Sequence, residues 1–194
     1  MAPVGILGGT FDPVHHAHLA IARRALDALG ASRILWIPTG APRYRQAPVA
    51  SAEHRVAMVT LAIAGEPRYE LDQRELAQGA SGYTYDTLAA LRAELGPGVP
   101  LLMLIGADQY QKLDSWHRSR ELFSLCSFAV FGRPASSAAT AEQLRPGVVH
   151  VDMQPISISA TGIRARISRG EDVSAEVPAP VLRYIQRNHL YGHP

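Results

Sequence analysis

Two histidines, His15 and His18, stand three residues apart in "GILGGTFDPVHHAHLAIARRALDALG", residues 5–30, where an apolar run breaks at two glycines and passes into an amphipathic stretch. On a first helical turn that spacing puts both rings on one face. Gly8 and Gly9 let a ligand come close to the backbone. Asp12–Pro13 is a turn and helix-start signal. A helix beginning there offers free N–H groups and a positive dipole end, which favour phosphate. The same histidines are also open to metal binding, but two imidazoles make a weak site and no nearby Glu or Cys completes it. They are equally compatible with the surface of a capped helix. The stretch is neither GxGxxG nor a P-loop, because GK[ST] is absent.

A second anion site is written into "SISATGIRARI" (157–167). Ser159 and Thr161 precede a helix whose Ile163 and Ile167 face the core. Arg164 is expected on its first turn, beside free N–H groups, where a fixed dipole and a guanidinium would act together. Read blandly, the segment is a capped amphipathic helix. Arg166 is expected to be a surface charge.

These residues need elements to hold them. Strand-like runs lie at 4–8, 33–38, 69–73, 100–108, 127–134 and 148–153. Helix-like runs lie at 18–30, 51–65, 83–96, 119–125, 161–170 and 178–189. In the first, Leu19, Ala22, Leu26 and Leu29 share a face and Gly30 ends the helix. Ser51 is the N-cap of the second. Buried strands alternating with helices predict an α/β fold, a Rossmann-like, mostly parallel sheet with helices on both faces. Ligands of such sheets bind beyond the carboxyl ends of the strands. Thr10, Asp108, Arg133 and Ser157 are placed there. The polar, Pro-bracketed 41–48 loop and the small-residue 135–147 segment are expected to be mobile.

Composition bounds the reading. The chain has 194 residues, 47% of them apolar, enough for one sizeable core, and a single domain over 1–194 is expected. A net charge of +2 implies no polyanion partner, so neither nucleic acid nor membrane is expected. Lys112 is the only lysine, so phosphate contacts fall to arginine or backbone. The one cysteine, Cys126, lies in an apolar run, which excludes an intrachain disulfide and a Cys-based zinc site. With no signal-peptide pattern and no apolar run of about 18 residues, a cytoplasmic location is expected.

"GGTFDPVHHAH" resembles the G-G-T-F-D-P-x-H-x-G-H signature of the nucleotidyltransferases. "IPTGAP", "YTYDTL", "LIGADQ", "SW", "FGRP" and "ISATGIR" follow in the order found in bacterial nicotinate mononucleotide adenylyltransferases. The likeness runs from Gly5 to about Tyr191. It implies that Gly8, Gly9, Thr10 and Phe11 meet the nucleotide phosphates through backbone and hydroxyl, and that His15 and His18 contact them during transfer. Asp108 and Arg133 would line the ATP site. Ser159, Thr161 and Arg164 would hold the phosphates, and the helices over about 161–190 would complete that site. For the acceptor it implies Trp116 stacked on a pyridine ring, Tyr83 and Thr84 at its carboxylate, and Thr39 and Arg45 nearby. His16 falls on a variable position and is expected to face solvent. Ala17 and Ala160 replace the usual glycine and serine, and Arg43–Tyr44 replaces a usual Pro-His pair.

The implied reaction joins nicotinate mononucleotide to ATP, giving nicotinate adenine dinucleotide and pyrophosphate. Catalysis would fall to His15, His18 and Arg164, with Mg²⁺ held mainly by substrate phosphates rather than by protein ligands. ATP and the mononucleotide are the expected partners, and self-association is left open. Phosphopantetheine adenylyl transfer is disfavoured by the Trp116 loop, "YTYDTL" and the chain length. A regulatory module without catalysis is disfavoured because both histidines and Arg164 are present.

Overall fold

The computed structural model describes residues 1–40, 47–132, 145–154 and 156–192. Arg45 and Arg133, with most of the 41–48 loop and of the 135–147 segment, lie outside the described residues.

The first half of the chain runs β1 (Val4–Gly9), α1 (His16–Leu29), β2 (Arg33–Pro38), α2 (Ala52–Ile63), β3 (Tyr69–Leu71) and α3 (Thr84–Leu95). The second half runs β4 (Leu101–Gly106), α4 (Ala107–Tyr110), α5 (Ser119–Leu125), β5 (Ser127–Gly132), β6 (Val148–Asp152), α6 (Ala160–Ile167) and α7 (Ala179–Arg187). The six strands form one sheet in the order β3-β2-β1-β4-β5-β6. β1 pairs parallel with β4, β4 with β5, and β5 with β6. This is the doubly wound order, with its switch point between β1 and β4. This is the α/β architecture that the alternation of runs predicts.

Burial follows position in the sheet. β4 is apolar along its length and buried from Leu101 to Ile105, as a central parallel strand with both faces covered must be. β6 leaves Val149 and His150 exposed between buried Val148 and Val151, the pattern of an outer strand.

The chain divides into two compact units, each drawn from separate stretches. One comprises 1–7, 21–35 and 81–155. Its core gathers Leu88, Leu91, Leu104, Leu122, Phe128 and Ala129, all at most 1% exposed. Arg92 ties this unit's loops, donating to the carbonyls of Gly96, Val99 and Leu125 at 3.0, 2.6 and 2.6 Å. The other comprises 8–20, 36–80 and 156–194. Phe11, Trp36, Met58, Val59, Val181 and Ile185 fill its core. Ile163 and Ile167 are buried, as their spacing predicts. The backbone of Gly40 runs against that of Glu75: a Cβ on Gly40 would lie 2.1 Å from the Glu75 carbonyl oxygen. Only glycine fits there.

Candidate functional site: a histidine pair and an arginine on one turn

The turn after β1 carries the site. Phe11 has φ +51, a left-handed conformation that a bulky residue adopts only when its surroundings enforce it. What enforces it is burial. The Phe11 ring is 1% exposed and packs edge-on against His18, with centroids 5.0 Å apart, and against Trp36 at 5.5 Å. A Cβ on Gly9 would stand 3.0 Å from the same ring. A side chain at Gly9 would therefore press on the Phe11 ring.

His15 and His18 come together as their spacing predicts, with stacked rings 3.8 Å apart. His18 Nδ1 accepts the backbone N–H of His15 at 3.3 Å, so a neutral His18 ring carries its proton on Nε2. His15 is buried at 6% exposure, and its Nδ1 has no hydrogen-bond partner. Burial, aided by His16, lowers its pKa to about 4. His16 is exposed, as expected.

Two expectations about helix starts are corrected. α1 begins at His16, so His15 precedes the helix instead of riding its first turn. The His16 N–H is already taken by the Glu176 carbonyl at 2.9 Å, which narrows the field of free donors. α6 is capped by Ser159, whose hydroxyl accepts the Gly162 N–H at 3.1 Å, but Arg164 lies on its second turn. The Arg164 guanidinium reaches back, Nη2 to the Thr161 hydroxyl at 3.4 Å and Nη1 to the Asp12 carbonyl oxygen at 2.7 Å. The two motifs, 152 residues apart, thus meet directly. Arg166 is no free surface charge. It pairs with Glu171 at 3.1 Å and Glu176 at 2.5 Å, and donates to the Asp172 carbonyl.

Asp12, expected only as a turn residue, holds this arrangement together with Tyr191 and Arg55, for which the sequence suggested no role. The Asp12 carboxylate, 2% exposed, accepts the N–H groups of Val49 at 2.7 Å and Ala50 at 3.1 Å and the Tyr191 hydroxyl at 2.8 Å. Arg55, also 2% exposed, donates through Nη1 to the carbonyls of Thr10 at 2.9 Å and Thr39 at 2.8 Å. It binds the ends of β1 and β2 together. Burial lowers its pKa, opposed by the nearby Asp12 charge. Arg55 shares the helical face of Met58, Val59 and Ile63, and a charge on an apolar face is the signal that could have marked it.

The expected acceptor residues Tyr83, Thr84 and Trp116 and the nucleotide-side Asp108 lie in the other unit. Tyr83 precedes α3 as its N-cap, and Thr84 is the first helical residue. The Tyr83 ring stacks on His117 with centroids 4.2 Å apart, so the 83 and 116–117 stretches are neighbours. Half-buried Trp116 closes a turn through its N–H to the Leu113 carbonyl. Arg118, with φ +53, lies over the Tyr85 ring at 3.6 Å and pairs with Glu121. Asp108 is exposed on α4 and accepts from Gln109 at 2.9 Å.

The cytidylyltransferase-like family model matches residues 6–166. A protein of Laribacter hongkongensis named "Probable nicotinate-nucleotide adenylyltransferase" is 40% identical over 97% of this chain and 94% of its own. One of the same name from Chromobacterium violaceum is 40% identical over 98% and 99%. In fold, the chain matches a Plasmodium falciparum nicotinic acid mononucleotide adenylyltransferase complexed with NaAD, with a TM-score of 0.84 at 20% identity over 100% and 99% of the two chains. The chain belongs to the cytidylyltransferase-like family and, within it, to the nicotinate-nucleotide adenylyltransferases.

Proposed function

We propose that the chain transfers the adenylyl group of ATP to nicotinate mononucleotide in NAD biosynthesis, with its β1 turn and α6 forming the phosphate-binding half of the site. The observation that carries this assignment of residues is the hydrogen bond from Arg164 to the Asp12 carbonyl. It sets the guanidinium of the second motif on the backbone of the first.

In the reaction an oxygen of the mononucleotide phosphate attacks the α-phosphorus of ATP in line. The bond from that phosphorus to the bridging oxygen breaks, and pyrophosphate leaves. The attacking phosphate is ionised at neutral pH, so no general base is needed. Positioning and charge neutralisation do the work. His18, its proton fixed on Nε2, donates to phosphate oxygens as charge moves toward the leaving group. His15 backs it, and its unpaired Nδ1 supports a polar partner arriving with substrate. Thr10, the backbone of Gly8, Gly9 and Phe11, the α6 start with Ser159 and Thr161, and Arg164 hold the remaining oxygens. Tyr83, Thr84, Trp116, Thr39 and Arg45 take the acceptor, and Asp108 and Arg133 the nucleotide side.

Among the described residues no group of three or more His, Cys, Asp or Glu could cage a metal ion, and the Asp12 carboxylate is occupied by protein donors. Mg²⁺ would arrive on the triphosphate and supply charge neutralisation there. Among the described residues no helix is long and apolar enough to cross a membrane.

The test is incubation with ATP, Mg²⁺ and either nicotinate or nicotinamide mononucleotide, reading pyrophosphate and dinucleotide. Release with nicotinate mononucleotide is the expected result. Absence of product with both acceptors would refute the reading.

A further inference from the structure

We propose that Tyr191 is a positioning residue for the phosphate site, acting through Asp12 on Arg164. The proposal rests on the functional reading above and extends it to a residue that touches no substrate.

Asp12 faces four donors from three separate stretches of chain. Oδ1 takes the Ala50 N–H and the Tyr191 hydroxyl, and Oδ2 takes the Val49 N–H. Arg164 Nη1 stands 3.7 Å from Oδ2 while it donates at 2.7 Å to the backbone oxygen of the same residue. Arg164 is therefore held beside the carboxylate without a close ion pair. The phenol keeps it so. It completes Oδ1 beside the Ala50 N–H, while the Val49 N–H holds Oδ2. Without the phenol only the two backbone donors satisfy the carboxylate, and its unspent acceptor strength draws the Arg164 guanidinium across the 3.7 Å gap, off the phosphates.

A second observation is independent of these distances. Tyr191 and His189 have φ +63 and +48, left-handed conformations for bulky residues in a short turn. Such backbone persists where a side chain is over-determined by its surroundings. The Tyr191 hydroxyl is so placed, between Asp12 and the Met58 sulfur at 3.9 Å. Burial and the Asp12 charge hold its pKa well above the ordinary phenol value, so it remains a donor at every working pH.

The test compares the full chain with Tyr191→Phe, Arg164→Ala, the double variant and Met58→Leu in steady-state kinetics. Expected for Tyr191→Phe is a fall of about tenfold in kcat/KM for ATP, the size of one lost hydrogen bond to a charged group. In the Arg164→Ala background the same change should be nearly silent, because the group it positions is gone. Met58→Leu keeps the Asp12 bond and should match wild type. Wild-type kinetics in Tyr191→Phe, an equal loss in both backgrounds, or a matching loss in Met58→Leu would each overturn the proposal in favour of packing. Hydrogen exchange on the wild-type chain tests it without any variant. The Val49 and Ala50 amides should be protected like the core of α2, and exchange at open-loop rates would overturn it. If wild type makes no dinucleotide, the functional reading fails, and the exchange result still judges the Asp12 hub.

Discussion

Replacement of His18 separates a donor that acts in the transition state from a histidine that only packs. The His15 N–H occupies His18 Nδ1 at 3.3 Å, so the N–H of the neutral ring is on Nε2. His18→Ala removes it. One preorganised donor of this kind is worth roughly 10²–10³ in kcat, about 2.7–4 kcal/mol. The ring also contacts Phe11 and His15, so some stability is lost too. Two amide variants divide these contributions. Gln places its terminal nitrogen near the Nε2 position, whereas Asn places it near Nδ1, where the His15 N–H already points. His18→Gln should therefore recover about tenfold of the loss in kcat and His18→Asn should not. The assay is pyrophosphate release at saturating ATP and nicotinate mononucleotide, on protein whose folding is checked by circular dichroism. His16→Ala, on the exposed neighbour, is the control and should be nearly silent. Unchanged kcat with a raised KM for ATP would mean uniform binding, and intact kcat with a lowered Tm a packing role. Either result refutes the reasoning.

Trp116→Ala should raise KM for the mononucleotide far more than KM for ATP, and equal effects would mark Trp116 as packing alone. His15 gives a pH signature. Its folded pKa of about 4 lies below the ordinary 6.5, so the unfolded chain binds the proton first and stability is lost as pH falls below 6.5. Between pH 7 and pH 5 that loss is about 2 kcal/mol, and urea titrations should show it in wild type and not in His15→Gln. Gly40→Ala should destabilise by more than the ~1 kcal/mol of an ordinary helix or strand glycine change, because its Cβ would meet the Glu75 carbonyl oxygen at 2.1 Å. An unchanged melting temperature would contradict that contact.

What the sequence disclosed was mostly local. β2 and α5 fall on the expected 33–38 and 119–125, because each is an apolar or amphipathic run bounded by turn residues. Ser51 and Ser159 cap α2 and α6, since capping depends on residues three apart. The histidine pair was legible for the same reason. The resemblance supplied the pairing of the first and last motifs, which no local pattern carries. The hub was not legible. Asp12 meets Val49, Arg164 and Tyr191 across separations of 37, 152 and 179 residues. Val49 and Tyr191 do not stand out by type or spacing, and Asp12 itself reads as a turn residue. Arg164 falls on the second turn because α6 begins at Ala160, one residue before the expected 161.

The same separations impose a schedule on synthesis. Translation proceeds at about 5–20 residues per second, so Tyr191 leaves the ribosome roughly 10–40 s after the Asp12 it must meet, 179 residues earlier. Through that interval β1 and α1 can form, but the carboxylate at their junction lacks its phenol and its arginine. The Asp12 cluster is therefore completed in two late steps, first by the arginine and then by the phenol. A chain stalled before residue 164 would lack both partners of Asp12.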